Sequence, residues 1–575
     1  MEPTERRRIL VMSDLHMTGG KNPKSGVWSA TEDFFSDEEF GHFLGYFSDG
    51  IPTTLIINGD LFDFLQVLEF PEEAEGKHPK DTIYTVHRSC RGRDYTYTIA
   101  EEDINRRYGL RCTEDAMAFV TGIIVEGHVP FFMAMLAFIR HEGNRIIITK
   151  GNHDIQLFWH RVQEEIHRRM ESLCNEGEPT AFVRERLRFV PWFYYEPGLV
   201  WVEHGNQYEY TTSFMNFMTP ELPFDFEGTG RQIELDLSSF LVRYLTNRGE
   251  PIDPLADNIR PLTRYWSVMW REHPFIVVTV AWTALKFVGK AFAKAVQMKM
   301  RPKVKGVADA NMKAMKDAAE EVHRCYPTVD SARFFDDLKA FDDCKAEPTL
   351  AQGPFPFIWF VIRGGVFNLL WVAPLMIAGY FATKIVGMPE EAGLFQSFLI
   401  RLGQGAIVVI CAMILFSLRY HLNRARHHRS VKVSSRKTAA PEGAVPVVPP
   451  KLSGNTNLDM REMSRFIADR LGVKYVTFGH THYTDLKSLG DDRWYFNTGT
   501  WMTILAEKEQ LYRDARQLTF LRIEVDATGG SQADLLCWYP PRREPQRVVV
   551  VDLIEPNDSI ENGILSFILS KLPLP

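Results

Sequence analysis

Short apolar runs recur along this chain, and each one stops on a cluster of polar residues. Residues 9–12 lead into Ser13-Asp14-Leu15-His16, and 54–57 into Asn58-Gly59-Asp60. Residues 146–149 precede Gly151-Asn152-His153-Asp154, and 199–202 precede Glu203-His204-Gly205. Much later, 475–478 lead into Gly479-His480-Thr481-His482. Continuous runs of this length predict strands buried on both faces, not strands with one wet side. Helices are predicted over 113–141 and 459–471, ahead of the third and last runs, and further strands over 493–500, 519–525 and 535–539. Strand, polar loop, helix, repeated, is the α/β pattern, and such folds collect ligands at the carboxyl ends of their strands.

Between His204 and Gly479 the pattern breaks. Two uncharged apolar stretches, 364–383 and 402–418, are bounded by Arg363, Lys384, Arg401 and Arg419. At 1.5 Å per residue they reach about 30 and 25 Å, close to the thickness of a bilayer core. Arg419, Arg424, Arg426, Arg429, Lys432, Arg436 and Lys437 follow the second stretch. The positive-inside rule therefore predicts a transmembrane hairpin whose two outer ends face the cytoplasm. The alternative is a buried helical hairpin inside a soluble lid, with Asn368 and Pro374 in its favour. Residues 275–293, interrupted by Lys286 and Lys290, read as an interfacial amphipathic helix or an ordinary domain helix. Residues 305–348 are charged and helix-prone, and 430–457 have the Ser, Pro, Ala and Lys content of a linker. The predicted organisation is a catalytic domain in two parts, 1–210 and 459–545. They are separated by a helical insertion (211–350), the membrane hairpin (351–422) and a linker (423–458), with a tail over 546–575.

The chain has 575 residues, room for two to four folding units at roughly 100–200 residues each. Lys and Arg total 66 against 73 Asp and Glu, a net charge of -7, so nothing suggests binding to a nucleic-acid backbone. Seven scattered cysteines without a C-x-x-C pair fit a reducing compartment. The four apolar residues near the amino terminus are too few for a signal-peptide core. The expected location is a membrane, with the catalytic part on the cytoplasmic side.

The polar residues at the strand ends form one set: Asp14, His16, Asp60, Asn152, His153, His204, His480 and His482. Two carboxylates, an amide and five imidazoles suit manganese, iron or zinc better than calcium. Asp14 and His16 are two residues apart, as are His480 and His482, so in extended chain each pair projects to one side. Two ions about 3.5–4 Å apart can clamp both the attacking and the leaving oxygen of a phosphoryl displacement. Asp63 and Asp154 are candidates to orient imidazoles from behind, or else caps of the helices that follow them. Arg88, Arg91, Arg93, Arg106, Arg107 and Arg111 could bind phosphate or lie on a solvated surface.

In order, Asp14-x-His16, Gly59-Asp60-x-x-Asp63, Gly151-Asn152-His153-Asp154, His204-Gly205 and Gly479-His480-x-His482 resemble the five blocks of the calcineurin-like metallophosphoesterases. The resemblance covers roughly residues 8–206 and 472–525. It implies a four-layer αββα sandwich and a dinuclear centre of two divalent ions, manganese first among them, with a metal-bound hydroxide as nucleophile. By position, Asp14, His16 and His482 would hold one ion, and Asn152, His204 and His480 the other. Asp60 would bridge them, and His153 would stabilise the transition state or protonate the leaving group. The wording of the blocks is most similar to the branch that hydrolyses UDP-2,3-diacylglucosamine, which holds acyl chains under a lid inserted before its Gly-His-x-His block. This chain departs from that branch in its longer insertion, in His153 where Arg is usual, and in Asn206 where Asp is usual. The expected activity is hydrolysis of a phosphate ester or pyrophosphate in an amphiphilic or lipid-linked substrate. A membrane-tethered phosphodiesterase for a soluble substrate, or a non-catalytic scaffold, are the alternatives. Phe355, Phe357, Trp359, Phe360, Phe367 and Trp371 could line an acyl tunnel, form an interfacial belt, or be a helix's apolar face.

Overall fold

The computed structural model describes residues 6–244 except 72–82, 107 and 223–230, residues 305–348, and residues 455–548 except 503–504, 509–510 and 515–517, with a few isolated positions between. These residues lie in one compact unit formed by 1–353 and 448–556. The predicted membrane hairpin with its aromatic residues, and most of segments 275–293 and 430–457, lie outside the described residues.

The architecture is mixed α/β. The strands of its two larger sheets are β1 (Arg7–Met12), β2 (Thr53–Asn58), β3 (Arg145–Thr149), β4 (Leu187–Val190), β5 (Phe193–Glu196), β6 (Val200–Glu203), β7 (Tyr475–Phe478), β8 (Thr484–Gly490), β9 (Arg493–Thr498), β10 (Thr519–Val525), β11 (Ser531–Tyr539) and β12 (Glu544–Arg547). One sheet runs β12-β11-β10-β1-β2-β3-β4 and the other β8-β9-β7-β6-β5. β1 to β4 are mutually parallel, as are β6, β7 and β9. β1 also pairs antiparallel with β10, so Ile9 sits between Thr54 and Ile523.

Both faces of the first sheet are covered, which explains the unbroken apolar runs. Leu10, Met12, Leu55 and Ile57 join a core with helical residues such as Phe131, Leu136 and Ile139. Their neighbours Ile9, Val11, Ile56 and Ile147 share a second core with Val200, Val202, Tyr475 and Phe496 of the other sheet. Each such side chain contributes about 1.5–3 kcal/mol by leaving water.

The predicted helix 113–141 is two helices, Glu114–Gly127 and Val129–Arg140, bent by 86°. Pro130 lies in the first turn of the second helix, where its missing N–H costs nothing, but its ring disfavours continuing the first helix through His128. Gly127 is pressed so closely on Gly19 that a Cβ would lie 1.9 Å from the Gly19 carbonyl oxygen. The bend buries His128, whose Nδ1 is 3.1 Å from Asp37 and whose Nε2 is 3.2 Å from Glu32. Among the described residues no single helix is long and apolar enough to cross a membrane. The bent pair passes that test jointly, but supplies much of the apolar core.

The charged segment 305–348 forms helices Lys305–Cys325 and Ser331–Asp343. The second packs on the outer face of the smaller sheet, Phe341 against Trp201 (ring centroids 5.5 Å apart) and Phe334 stacked on Tyr195 (4.9 Å). Helix Thr456–Leu471 starts three residues before its predicted position, because the Asn455 side chain accepts the Leu458 N–H and caps it.

Candidate metal centre

The loops that leave β1, β2, β3, β6 and β7 meet at one end of the two sheets, and backbone hydrogen bonds stitch them together. Leu15 and His16 donate their N–H groups to the Asp60 carbonyl at 2.9 and 3.0 Å, and Gly479 donates to the His204 carbonyl at 3.0 Å. Side chains add cross-braces. Asn58 Nδ2 donates to the Glu203 carbonyl at 2.7 Å, and Asn497 Nδ2 to that of Gly479. Asp14, His16, Asp60, His480 and His482 all have positive φ, between 50° and 70°. Non-glycine residues enter that region at a cost of roughly 1–3 kcal/mol each, and sustain it where surrounding contacts over-determine the loop. Gly151 is obligatory for a different reason: a Cβ there would lie 2.2 Å from Asp60 Oδ1.

Seven of the eight candidate site residues meet through contacts of their own, and the eighth, Asn152, is buried in the loop beside His153. Asp14, His16 and His482 bring one donor atom each within 4.8 Å of one another, and so do Asp60, His204 and His480. His16 Nε2 lies 3.1 Å from His482 Nε2, and His482 Nε2 lies 3.4 Å from Asp14 Oδ1. Asp60 Oδ2 stands between the two groups, 2.9 Å from His204 Nε2 and 3.9 Å from His16 Nε2. Its other oxygen accepts the His153 N–H at 2.9 Å.

Twenty buried side-chain atoms have no hydrogen-bond partner among the described residues, and two of them, Asn152 Oδ1 and His480 Nδ1, belong to candidate ligands. A buried acceptor left unpaired costs about 1–3 kcal/mol, so each needs a reason. A cation would satisfy both of the ligand atoms. Carboxylates, imidazoles and one amide oxygen are a chemically coherent set for divalent ions of the manganese, iron or zinc kind. The residues present therefore fit a metal. Neither the identity nor the number of ions follows from the donors alone.

Electrostatics fit the same picture. Burial would raise the Asp60 carboxyl, but His204 and His153 outweigh it and hold Asp60 well below the ordinary range. Asp14 is lowered against the same opposition by its hydrogen bond to His482 and by His204. Burial disfavours charge on His153, yet Asp63 and Asp60 lift it to about 10. His204, against burial, is raised to about 9 by Asp60. Its Nδ1–H donates to the Asn58 carbonyl at 2.8 Å, which aims Nε2 into the site.

The two supporting carboxylates divide. Asp63 accepts from His153 Nδ1 at 2.7 Å and lies 3.8 Å from His16 Nδ1, within reach of both rings. Asp154 serves backbone instead. Its oxygens accept the backbone N–H groups of Gly151 (2.6 Å) and Leu61 (2.8 Å), which tie the loop after β3 to the loop after β2. Neither aspartate's side chain caps the short helix that follows it. Two N–H donors with no other partner outcompete an imidazole for a buried carboxylate. Arg88 is also committed, to Glu126 at 2.6 and 2.8 Å.

Sequence reasoning missed Ser13, which donates to the Asp14 carboxylate, and Thr500, whose hydroxyl holds the Asp14 carbonyl at 2.6 Å. It also missed Glu209, 3.0 Å from His480 Nε2. Ser13 stood next to a singled-out motif; the other two carried no signal of spacing. Comparison of the chain with family models, curated proteins and solved structures returns no match.

Proposed function

We propose that this protein is a metal-dependent phosphoesterase or pyrophosphatase of the calcineurin-like metallophosphoesterase kind, on a four-layer αββα sandwich. The observation that carries the proposal is the position of Asp60, whose one carboxylate reaches both donor groups gathered from four separate loops. Asp14, His16 and His482 would hold one ion, Asn152, His204 and His480 the other, and Asp60 both. Ions bound there supply Lewis acidity toward a phosphoryl group and lower the pKa of water toward neutrality.

The chain's own residues do the rest. His153 keeps its Nδ1–H on Asp63 and its side chain 21% exposed, so the ring, when protonated, offers its other N–H to a phosphoryl oxygen or a leaving group. Asn152 contributes a neutral oxygen, which limits the negative charge that meets an anionic substrate. Asp63 fixes the ring that would move the proton.

The substrate we propose is amphiphilic or lipid-linked, on the strength of the apolar stretches between the fourth and fifth blocks. They would place the enzyme at a membrane with its catalytic part on the cytoplasmic side. The test is hydrolysis of bis(p-nitrophenyl) phosphate by metal-stripped protein titrated with manganese, beside Asp60→Ala. Manganese-dependent turnover that disappears in the variant supports the reading. Manganese bound at both groups with no turnover on this ester or on lipid-linked pyrophosphates would replace it with a scaffold.

A further inference from the structure

His480 and His204 face the same donor group through opposite ring nitrogens. His204 spends Nδ1 on a backbone carbonyl and presents Nε2. His480 is the reverse: its Nε2 is 3.0 Å from Glu209 Oε2 and 3.2 Å from Thr212 Oγ1, while the buried Nδ1 has no partner among the described residues. We propose that Glu209 is a positioning residue for the second metal subsite, fixing His480 in the tautomer that carries its proton on Nε2 and its lone pair on Nδ1. This rests on the dinuclear reading above.

The physical case has three parts. A neutral imidazole offers one lone pair, and a carboxylate that accepts from one nitrogen decides that the other binds the metal. The same carboxylate makes the ligand more basic and locks its ring orientation. The backbone is pinned independently, because the His480 N–H donates to both Asp14 oxygens at 3.1 and 3.0 Å. The ring is thus left one main freedom, rotation about its side-chain bonds, and Glu209 removes it. Glu209 is itself held, since its second oxygen accepts the Thr211 hydroxyl at 2.6 Å. It also hydrogen-bonds Thr456, at the start of the helix that precedes β7.

The experiment uses the full chain, stripped of metal and titrated with manganese by calorimetry, with electron paramagnetic resonance following the pair of ions. Wild type is expected to take two ions. In Glu209→Gln one of the two should bind roughly 10–100-fold more weakly, the range for lost partners of metal ligands, with the other unchanged. The spin-coupled signal should then need excess manganese to appear. Thr211→Val, which removes one of the hydroxyl contacts that hold Glu209 but leaves its carboxylate facing His480, should weaken that ion by clearly less than Glu209→Gln does. On a His480→Gln background, Glu209→Gln should cost nothing further. Equal affinities in wild type and Glu209→Gln, the same loss in Thr211→Val, or the same loss on both backgrounds would overturn the proposal while leaving two ions bound. A wild-type chain that takes no manganese would overturn the dinuclear reading, and this assignment with it.

Discussion

Replacing Asp60 by Asn is the sharpest perturbation of this centre, because it removes a charge and little else. The amide keeps an oxygen for the His153 N–H, now at 2.9 Å, and asparagine tolerates the φ of 50° that Asp60 adopts. What disappears is the anion 2.9 Å from His204 and 3.9 Å from His16. A hydrogen bond to a charged group is worth about 1.5–3 kcal/mol, so loss of the His204 contact sets the scale of destabilisation. At about 2.1 cal/mol/K per residue, a compact unit formed by 1–353 and 448–556 shifts by about 1 °C per kcal/mol, so the melting temperature falls by about 1.5–3 °C and the protein stays folded at 25 °C. Turnover should fall by more than about a hundredfold, or 2.7 kcal/mol of barrier, since neither donor group keeps a shared anion. The assay pairs manganese stoichiometry with bis(p-nitrophenyl) phosphate hydrolysis at saturating metal. Two ions bound with wild-type turnover would refute the idea that this carboxylate joins the groups.

Four further outcomes are expected. Gly151→Ala should abolish hydrolysis and weaken manganese binding, because its Cβ would displace Asp60; normal calorimetric titration would contradict this. Asp154→Ala strands two buried N–H groups and should cost about 2–5 kcal/mol in urea unfolding, whereas a pure imidazole-orienting role would spare stability. His128, raised against burial to about 10 by Glu32 and Asp37, gives stability that is complete below its unfolded value of 6.5 and lost as pH climbs toward 10. Thermal melts of wild type against His128→Asn should converge over that window, and a constant gap would argue against the pair. Deleting residues 364–418 should release the protein from sedimented membranes if the apolar stretches anchor it, and continued pelleting would assign the anchor elsewhere.

What the sequence made legible was the set of strand ends, because burial on both faces leaves a continuous apolar run that stops abruptly where the chain turns polar. That is why Asp14, Asp60, His204 and His480 could be picked out before any geometry was known. The bend at His128 was hidden because apolar composition continues across it, and only Pro130 hints that one helix is two. For Asp154, adjacency to His153 suggested a partner, while its oxygens go to the Gly151 N–H three residues back and to the Leu61 N–H of the loop after β2. Glu209 sits five residues beyond His204 in an irregular loop, where no periodicity separates a ring-holding carboxylate from a solvated one.

The pairing of β1 also sets an order of events during synthesis. Its parallel neighbour β2 is made almost at once, but its antiparallel neighbour β10 lies 518 residues away, Arg7 opposite Val525. At about 5–20 residues per second the ribosome needs roughly 25–100 s to supply it. Through that interval one flank of β1 presents bare N–H and C=O groups of the kind that recruit other chains. Asp14 and His16, at the end of the same strand, wait for His480 and His482, which lie 466 residues further on. The donor groups are therefore completed late, after everything between the fourth and fifth blocks has been synthesised, so the nascent amino-terminal part passes that time with both groups incomplete.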